Sequence, residues 1–228
     1  MGYINTELDV AFSEQGVADK KIFGRIGLAK RLMDLVISAI ALVFLLPLLI
    51  FVAIAIKTTS SGPIIYKQRR LGLGGKTFAM YKFRSMYLDS EDKFNALLKQ
   101  CPVSRANWQK YQKLKNDPRI TPIGRFLRKS SIDELPQLVN VLTGSMSIVG
   151  QRPILPTQKL IYGAANYKNY IRCRPGITGL WQVNGRNELT FEKRTELDSE
   201  YYDKWSIGYD ISLMVQTVPA VVFPMGAH

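Results

Sequence analysis

The apolar stretch Leu32–Ile56, LMDLVISAIALVFLLPLLIFVAIAI, decides how the rest of this chain is arranged. It runs for 25 residues with Asp34 as its one charge, which is long enough for a helix across a bilayer. About thirty residues precede it and no small-residue cleavage pattern follows it, so it lacks the form of a removable signal peptide. The stretch therefore predicts a helix that stays in a membrane.

Two features of this stretch favour a re-entrant helix over a straight crossing. Pro47 lies in its interior, where a proline removes a backbone hydrogen bond and kinks a helix. Both flanks are also cationic, and cationic flanks prefer the cytoplasmic side. The cations before the stretch are Lys20, Lys21, Arg25, Lys30 and Arg31, and those after it are Lys57, Lys67, Arg69, Arg70 and Lys76. We predict that the helix is broken at Pro47 and returns to the side from which it entered.

The chain divides into three predicted parts. Residues 1–19 are polar and aperiodic and predict a mobile tail. Residues 20–57 join the re-entrant helix to a basic segment that suits an anionic membrane surface, although a solvated basic face would have the same composition. Residues 58–228 predict a small cytoplasmic α/β domain with a short β-hairpin and several amphipathic helices.

Local signals within the third part predict individual elements. Ile64–Gln68 and Thr77–Phe83 have the composition of two hairpin strands. Pro102 predicts a break between two helices, and Thr121-Pro122 has the form of a helix start. A further helix is predicted over Leu135–Leu142, and the glycine-rich segment Arg174–Arg186 is predicted to be a loop.

Composition limits the chemistry that this chain can perform. Thirty-one Lys and Arg against eighteen Asp and Glu give a formal net charge of +13, which implies an anionic partner such as nucleic acid, acidic lipid or a phosphorylated substrate. The two cysteines are far apart and the single histidine is the last residue, so the sequence offers no pattern for a disulfide framework, a zinc site or a histidine triad. Any catalysis must rest on carboxylates, Lys, Arg or a hard cation.

Two adjacent carboxylates in Ser131-Ile-Asp-Glu134 lie in a basic neighbourhood. Ser131 precedes Glu134 by the spacing of a capping box, which predicts that both carboxylates occupy the positively polarised first turn of the following helix. The alternative is that they only cap that helix. Arg128 lies five residues before Asp133, close enough to share a site with the pair.

Two later segments carry cations on constrained backbone. Arg152 precedes Pro153, so its backbone is biased to an extended conformation that holds the guanidinium outward. Arg174–Arg186, RPGITGLWQVNGR, combines three glycines with an aromatic ring and two arginines. Such loops let backbone amides approach a phosphate while a ring or guanidinium stacks on a base, but a purely structural turn has the same composition.

From about Lys30 to Val222 the chain resembles the monotopic bacterial sugar transferases, the polyprenyl-phosphate phosphoglycosyltransferases that start exopolysaccharide and glycan assembly. Its ending, Trp205–Ala220, is most similar to galactose-type members. The matching strings are Lys30-Arg-Leu-Met-Asp34, Gly62-Pro63, Gln68-Arg-Arg-Leu-Gly72, Lys82-Phe-Arg-Ser-Met86, Ser131-Ile-Asp-Glu-Leu-Pro-Gln-Leu-Val-Asn140, Met146-Ser-Ile-Val-Gly150, Arg152-Pro153, Arg174-Pro-Gly-Ile-Thr-Gly179 and Trp181-Gln-Val-Asn-Gly-Arg186.

This resemblance implies a domain half-sunk in the inner leaflet of the bacterial inner membrane, with both ends of the re-entrant helix in the cytoplasm. In the family an Asp-Glu pair acts with Mg²⁺, and Asp133 and Glu134 match it as catalytic residues and metal ligands. The implied reaction moves a hexose-1-phosphate, galactose favoured and glucose next, from a UDP-sugar onto Asp133 and then onto undecaprenyl phosphate. Ping-pong kinetics follow from that covalent intermediate.

The resemblance also implies binding residues. The phosphate-binding positions of the family are matched by Lys82, Arg128, Arg152 and Pro153, and nucleotide-sugar contacts are implied for Arg174, Gly176, Gly179, Gln182 and Arg186. Gln151 departs from the pattern, because the family usually has proline at that position. The loop that carries Arg152 therefore lacks a stiffening ring.

A membrane-tethered basic adaptor that binds acidic lipid or nucleic acid is the alternative function, since positive charge and an apolar anchor would suffice for it. The sequence has no nucleic-acid-binding motif, and its aromatic residues are not interleaved with the basic runs. We therefore expect a UDP-hexose, undecaprenyl phosphate and inner-membrane lipid as partners, and no nucleic acid. Because dimers occur in the family that the chain resembles, a homodimer is a further expectation.

Overall fold

The computed structural model of this chain describes residues 25–111, 114, 117–185 and 189–222. The predicted tail at 1–19, the start of the basic segment at 20–24 and the predicted nucleotide-sugar ligand Arg186 lie outside these residues. Within them the fold mixes α-helices with small β-sheets, as predicted.

The first helix, α1 (Arg25–Thr59), confirms the prediction of one long apolar helix near the N-terminus. The predicted break is wrong, because helical structure continues on both sides of Pro47 without interruption. A proline removes one intrahelical hydrogen bond, and the turns on either side retain theirs. At about 1.5 Å per residue, α1 is about 52 Å long and exceeds the hydrocarbon thickness of a bilayer.

One side of α1 packs on the rest of the chain along most of its length. Asp34, Ser38, Val52 and Ile56 are buried, and their spacing keeps them on one helical face. Between them lie the partly buried Ile37, Ala41, Leu42, Leu45, Leu48, Leu49 and Ala53. The exposed apolar side chains of α1 include Val36, Ile40, Val43, Phe44, Ile50, Phe51 and Ile54. The helix thus has a second apolar face that the described residues do not cover.

Both ends of α1 contact the same domain. Near its start, Lys30 Nζ donates to Asp210 Oδ2 at 2.5 Å. One turn later, buried Asp34 accepts a hydrogen bond from the Ile148 amide at 3.0 Å. Near its end, an apolar cluster joins the helix to the domain and contains Val52, Ile56, Phe83 and Leu127.

The predicted hairpin is confirmed, since β1 (Ile65–Leu71) and β2 (Thr77–Phe83) pair antiparallel. A 3₁₀ turn at Leu73–Gly75 connects them, and the φ of +66° at Gly74 within it favours glycine. The register places Lys82 opposite Tyr66, close to the end of β2.

The next helices follow the sequence signals closely. Pro102 separates α2 (Ser90–Gln100) from α3 (Pro102–Tyr111), as predicted. The start of α4 (Pro122–Lys129) is also confirmed, because the Gly124 amide donates to Thr121 Oγ1 at 2.9 Å. The helix α5 (Gln137–Leu142) begins two residues later than predicted.

The glycine-rich segments contain two short strands, and the second of them lies in the segment Arg174–Arg186 that was predicted as a loop. β3 (Ser147–Val149) pairs parallel with β4 (Gly176–Thr178). A Cβ atom on Gly176 would lie 2.1 Å from the Gly150 nitrogen, so only glycine permits this approach. The remaining helices are α6 (Lys159–Tyr170), α7 (Leu180–Val183), α8 (Phe191–Lys204) and α9 (Ile207–Val222).

The largest core cluster lies between β2, α5, the β3–β4 pair and the last three helices. It includes Met80, Leu138, Val141, Met146, Val149, Trp181, Tyr201, Trp205 and Leu213. This core fixes β2 and α5 against each other, and the segment between α4 and α5 carries the two adjacent carboxylates.

Candidate active site

Asp133 and Glu134 lie in a separate 3₁₀ turn, Ile132–Glu134, between α4 and α5. Ser131 enters this turn with φ +58°, the left-handed region that non-glycine residues rarely adopt. Its side chain makes no capping hydrogen bond, so the predicted capping box is wrong. The surrounding contacts must hold this strained turn in place.

Glu134 forms an ion pair with Lys82, whose Nζ donates to Glu134 Oε1 at 2.5 Å. The two residues are 52 positions apart in the sequence and meet because β2 lies beside the 3₁₀ turn. Burial alone would raise the pKa of Glu134, but the charges of Lys82 and then Arg152 outweigh burial and lower that pKa to about 2. Glu134 is therefore ionised at neutral pH.

Asp133 is more deeply buried than its neighbour, with 6% of its surface exposed. Burial raises the pKa of Asp133 to about 6, against the opposing charge of Lys82. The charge of Glu134 also raises this pKa, since two close carboxylates resist a second ionisation. At pH 7 most Asp133 side chains still carry a negative charge.

The ion pair forms part of the wall of a small pocket that is open to solvent. The structure brings six predicted site residues together there, namely Lys82, Glu134, Arg152, Pro153, Gly176 and Gln182. Asp133 adjoins the pocket through Glu134 and is not one of the residues that line it. Arg70, Met80, Gln137 and Ile177 complete the lining.

The guanidinium of Arg152 makes no hydrogen bond to any residue that the structure describes. Its central carbon lies 4.4 Å from the centre of the Trp181 ring, where cation–π attraction orients the group. The Arg152 backbone amide donates to Asp198 Oδ1 at 3.4 Å, and Arg70 Nη1 donates to the carbonyl of Pro153 at 3.0 Å. The loop is held by its backbone while its cation remains available to an anionic ligand.

Sequence reasoning missed three residues of this region, which are Arg70, Arg194 and Gln137. Burial, and next the charge of Arg152, lower the pKa of Arg70 to about 10. The same two causes lower the pKa of Arg194 to about 10, and its guanidinium carbon lies 5.0 Å from the Trp181 ring centre. Gln137 lines the pocket and is 2% exposed. Arg70 and Gln137 belong to strings that carry the family resemblance, whereas Arg194 lies among charged residues of α8 and has no such signal.

Besides Asp133, three predicted site residues of the domain, Arg128, Arg174 and Gly179, do not line this pocket. Arg128 Nε donates to Ser85 Oγ at 2.8 Å, and its charge acts on Asp133 by lowering the pKa of that carboxyl. Arg174 lines a different cavity, and its Nε donates to the carbonyl of Gly144 at 2.8 Å. Gly179 lets two backbones meet, because a Cβ atom there would lie 2.0 Å from the Gly150 oxygen.

Buried polar groups connect the Arg152 loop to α6 and α8. Gln151 Nε2 donates to the backbone carbonyl of Asp198 at 2.8 Å, so the residue in place of the usual proline anchors the loop through its side chain. The hydroxyl of Tyr162 donates to the Asp198 carboxylate. Burial raises the pKa of Asp198 to about 7, although the hydrogen bond from Tyr162 opposes that shift.

The donor set of the pair fits a Mg²⁺ ion that is shared with a substrate. Mg²⁺ is usually held by one or two carboxylates, with substrate phosphates and water as its other ligands. Asp133 and Glu134 offer two carboxylates, and Lys82 occupies only Oε1 of Glu134. The described part of the chain has no group of three or more His, Cys, Asp or Glu that could hold a metal ion. Substrate phosphate oxygens and water would complete the coordination.

The sequence matches the family model described as "Bacterial sugar transferase" over residues 26–224. An undecaprenyl-phosphate galactose phosphotransferase of Salmonella typhimurium strain LT2 is 45% identical over 199 residues, which cover 87% of this chain and 41% of that relative. The exopolysaccharide production protein ExoY of Sinorhizobium fredii is 40% identical over 202 residues, or 89% of each chain. A UDP-glucose:undecaprenyl-phosphate glucose-1-phosphate transferase of Escherichia coli K12 is 40% identical over 207 residues, which cover 88% of this chain and 41% of the relative.

The chain thus spans about two fifths of the length of the galactose and glucose transferases that it matches. It spans most of the length of the exopolysaccharide production protein. The matched range 26–224 contains nearly all of α1 and every residue that lines the pocket.

Proposed function

We propose, because this chain belongs to the bacterial sugar transferase family, that it transfers a hexose-1-phosphate from a UDP-sugar to undecaprenyl phosphate and so starts exopolysaccharide assembly. We favour galactose as the sugar and place glucose next; relatives named for each of these sugars match the chain. The observation that carries the proposal is a pocket in which Lys82 binds Glu134, while the guanidinium of Arg152 makes no hydrogen bond within the described part of the chain. Spare positive charge beside ionised carboxylates suits chemistry on a diphosphate.

In the proposed first step, Asp133 attacks the β-phosphorus of the UDP-sugar. A carboxylate is ionised at neutral pH and needs no general base for this attack. The new bond joins an Asp133 oxygen to phosphorus, and the bond between that phosphorus and the bridging oxygen of the diphosphate breaks. UMP leaves with the electron pair, and Arg152 and Arg70 would stabilise its charge.

In the proposed second step, a phosphate oxygen of undecaprenyl phosphate attacks the same phosphorus. The bond to Asp133 breaks, which restores the carboxylate and releases the lipid-linked diphosphosugar. Lys82 would hold Glu134 in one orientation during both steps, as its 2.5 Å contact indicates. A Mg²⁺ ion bound by Asp133 and Glu134 would screen the repulsion between the carboxylates and the diphosphate.

We also infer that α1 is re-entrant, with a bend at Pro47 that leaves the helix continuous, and that the domain lies on the cytoplasmic face of the inner membrane. A straight crossing would carry the two ends of α1 to opposite faces of the bilayer. Lys30 at one end and Ile56 at the other both contact the same domain, which supports a helix that enters and returns. Its uncovered apolar face would then contact lipid.

Release of UMP without a lipid acceptor tests the covalent step. The purified full-length chain, given radiolabelled UDP-galactose and Mg²⁺, is expected to release about one UMP per active site and to exchange labelled UMP back into UDP-galactose. Asp133→Asn should abolish both signals, because an amide is a far poorer nucleophile. Glu134→Gln should slow both signals without abolishing them.

The control for this experiment is Asp203→Asn, which changes an exposed carboxylate on α8 and should leave both signals unchanged. If the Asn variant of Asp133 keeps exchange and the Gln variant of Glu134 loses it, the two roles are reversed. UMP release that requires the acceptor would refute the covalent intermediate. If undecaprenyl phosphate yields no organic-soluble label at all, the transferase proposal fails and the basic adaptor becomes the better account.

A further inference from the structure

Gln137 is a buried amide in the wall of the proposed active site. The residue is 2% exposed and lines the pocket with Lys82 and Glu134. Among the described residues its side chain has no hydrogen-bond partner. Helical backbone angles continue through Leu135 and Pro136 into α5, so Gln137 lies on the same side of the backbone as Glu134 three residues earlier.

Asn140, on the same helix, shows what a structural amide does at this interface. It is also 2% exposed, and its Oδ1 accepts from the Tyr81 amide at 2.9 Å. Its Nδ2 donates to the carbonyl of Ala79 at 2.8 Å and to Ser145 Oγ at 3.1 Å. These bonds fasten α5 to β2. Gln137 is equally buried but makes no comparable bond within the described residues.

The amide of Gln137 is held at the pocket wall without a bond to any residue that the structure describes, so it can bond to whatever fills the pocket. A ligand in the pocket would supply the missing partner. The cations Arg70, Lys82 and Arg152 line the same pocket, which makes an anionic group the best fit. An amide adds to these cations a donor with a fixed direction.

We propose that Gln137 Nε2 donates a hydrogen bond to an oxygen of the β-phosphate of the bound UDP-sugar. This phosphorus is the one that Asp133 attacks, so the inference rests on the proposed function and names a further binding residue for it. Gln137 would then position the transferred phosphoryl group next to the carboxylate pair.

Calorimetric binding of UDP-galactose, UDP and UMP to the full-length chain tests this inference, in an Asp133→Asn background that prevents turnover. UDP keeps the β-phosphate without the sugar, and UMP has neither. Gln137→Leu keeps a side chain of similar volume but has no donor. We expect this variant to bind UDP-galactose and UDP about tenfold more weakly, while its affinity for UMP changes less than about twofold. Gln137→Glu should lower the affinity for UDP-galactose and UDP further, since it adds a negative charge beside a phosphate.

Each other result overturns the inference in a different way. Unchanged UDP binding in the Leu variant would mean that Gln137 does not contact the β-phosphate. A loss confined to UDP-galactose would assign Gln137 to a sugar hydroxyl, and an equal loss for UMP would indicate a distorted pocket. UDP binding in the Glu variant as tight as in the parent chain would exclude a donor to phosphate.

Thermal unfolding separates this role from a structural one. Asn140→Leu should lower the melting temperature, whereas Gln137→Leu should not, and Gln137→Met replaces the Leu variant if that variant unfolds. The calorimetric binding measurements do not depend on catalysis, because they use the Asp133→Asn background. If the ligands bind in the expected pattern but the chain with Asp133 intact releases no UMP, the proposed function fails and the assignment of Gln137 stands.

Discussion

Arg152 lies against the Trp181 ring with the carbon of its guanidinium 4.4 Å from the ring centre. A planar guanidinium can bind a phosphate through two parallel donors and can stack on an indole, and an ammonium group does neither as well. We predict that Arg152→Lys lowers kcat/KM for UMP release by about tenfold or more, although the charge is kept. Arg125→Lys, at an exposed position of α4, is the control and should keep the parent rate. A parent-like rate in Arg152→Lys would mean that charge alone suffices.

Asp198 gives the fold a pH dependence with a definite sign. Its pKa rises from an ordinary 3.8 to about 7 on folding, chiefly through burial. Between these two values the folded state binds a proton that the unfolded state has released, so the free energy of unfolding falls as pH rises through this window. We predict that the melting temperature of Asp198→Asn falls less between pH 5 and 8 than that of the parent. Asp203→Asn on the same helix should show the same fall in melting temperature with pH as the parent. An equal fall in Asp198→Asn would contradict the raised pKa of Asp198.

At the scale of the single residue, the sequence could identify residues that differ in charge from their neighbours. Asp133 and Glu134 stand out within a basic region, and Arg152 is marked by the proline after it. Gln137 could not be found in this way, because its significance depends on its burial in the pocket wall and on the lack of a hydrogen-bond partner among the residues that the structure describes. Arg174, for which the resemblance implied a nucleotide-sugar contact, lines a different cavity, and its guanidinium donates to the Gly144 carbonyl.

At the scale of the element, the start of α4 is fixed by one side chain. Thr121 Oγ1 accepts from the Gly124 amide at 2.9 Å, which satisfies a backbone donor that a helix start otherwise leaves free. We predict that Thr121→Ala lowers the free energy of unfolding by about 1 kcal/mol, as measured by denaturant unfolding in detergent. Thr121→Ser keeps the hydroxyl, so its free energy of unfolding should fall much less. Equal losses in the two variants would show that the methyl group, and not the cap, stabilises this helix.

Elements with local signals were predictable, and elements made by distant pairing were not. The hairpin of β1 and β2 and the start of α4 depend on residues within a few positions of each other. β3 and β4 have only three residues each and pair across an intervening helix, so neither segment has a detectable strand period. The turn at Ile132–Glu134 was misassigned for a related reason, because Lys82, 52 residues away, binds the carboxylate that a capping box would have used.

At the scale of the whole molecule, hydropathy predicted that α1 exists but could not predict what lies on its two faces. Asp34 appeared to be an isolated charge in an apolar run, yet it is buried and accepts from the Ile148 amide at 3.0 Å. Lys30 likewise pairs with Asp210, 180 residues away. The polar groups at the start of α1 are therefore contacts to the domain, which sequence periodicity does not reveal.

The last prediction concerns the side of the membrane on which the two ends of α1 lie. Because Lys30 and Ile56 both contact the domain, we predict that residues before and after the helix are on the same, cytoplasmic, face. Single cysteines at Ser13 and at exposed Asp203, in a background without Cys101 and Cys173, should both resist an impermeant thiol reagent in intact spheroplasts and both react after lysis. Pro47→Leu restores a backbone hydrogen bond and should increase labelling at Ser13 by favouring a straight crossing. Labelling at one site alone in the parent background would rule out re-entry, and UMP release by the cysteine variants shows that they remain folded.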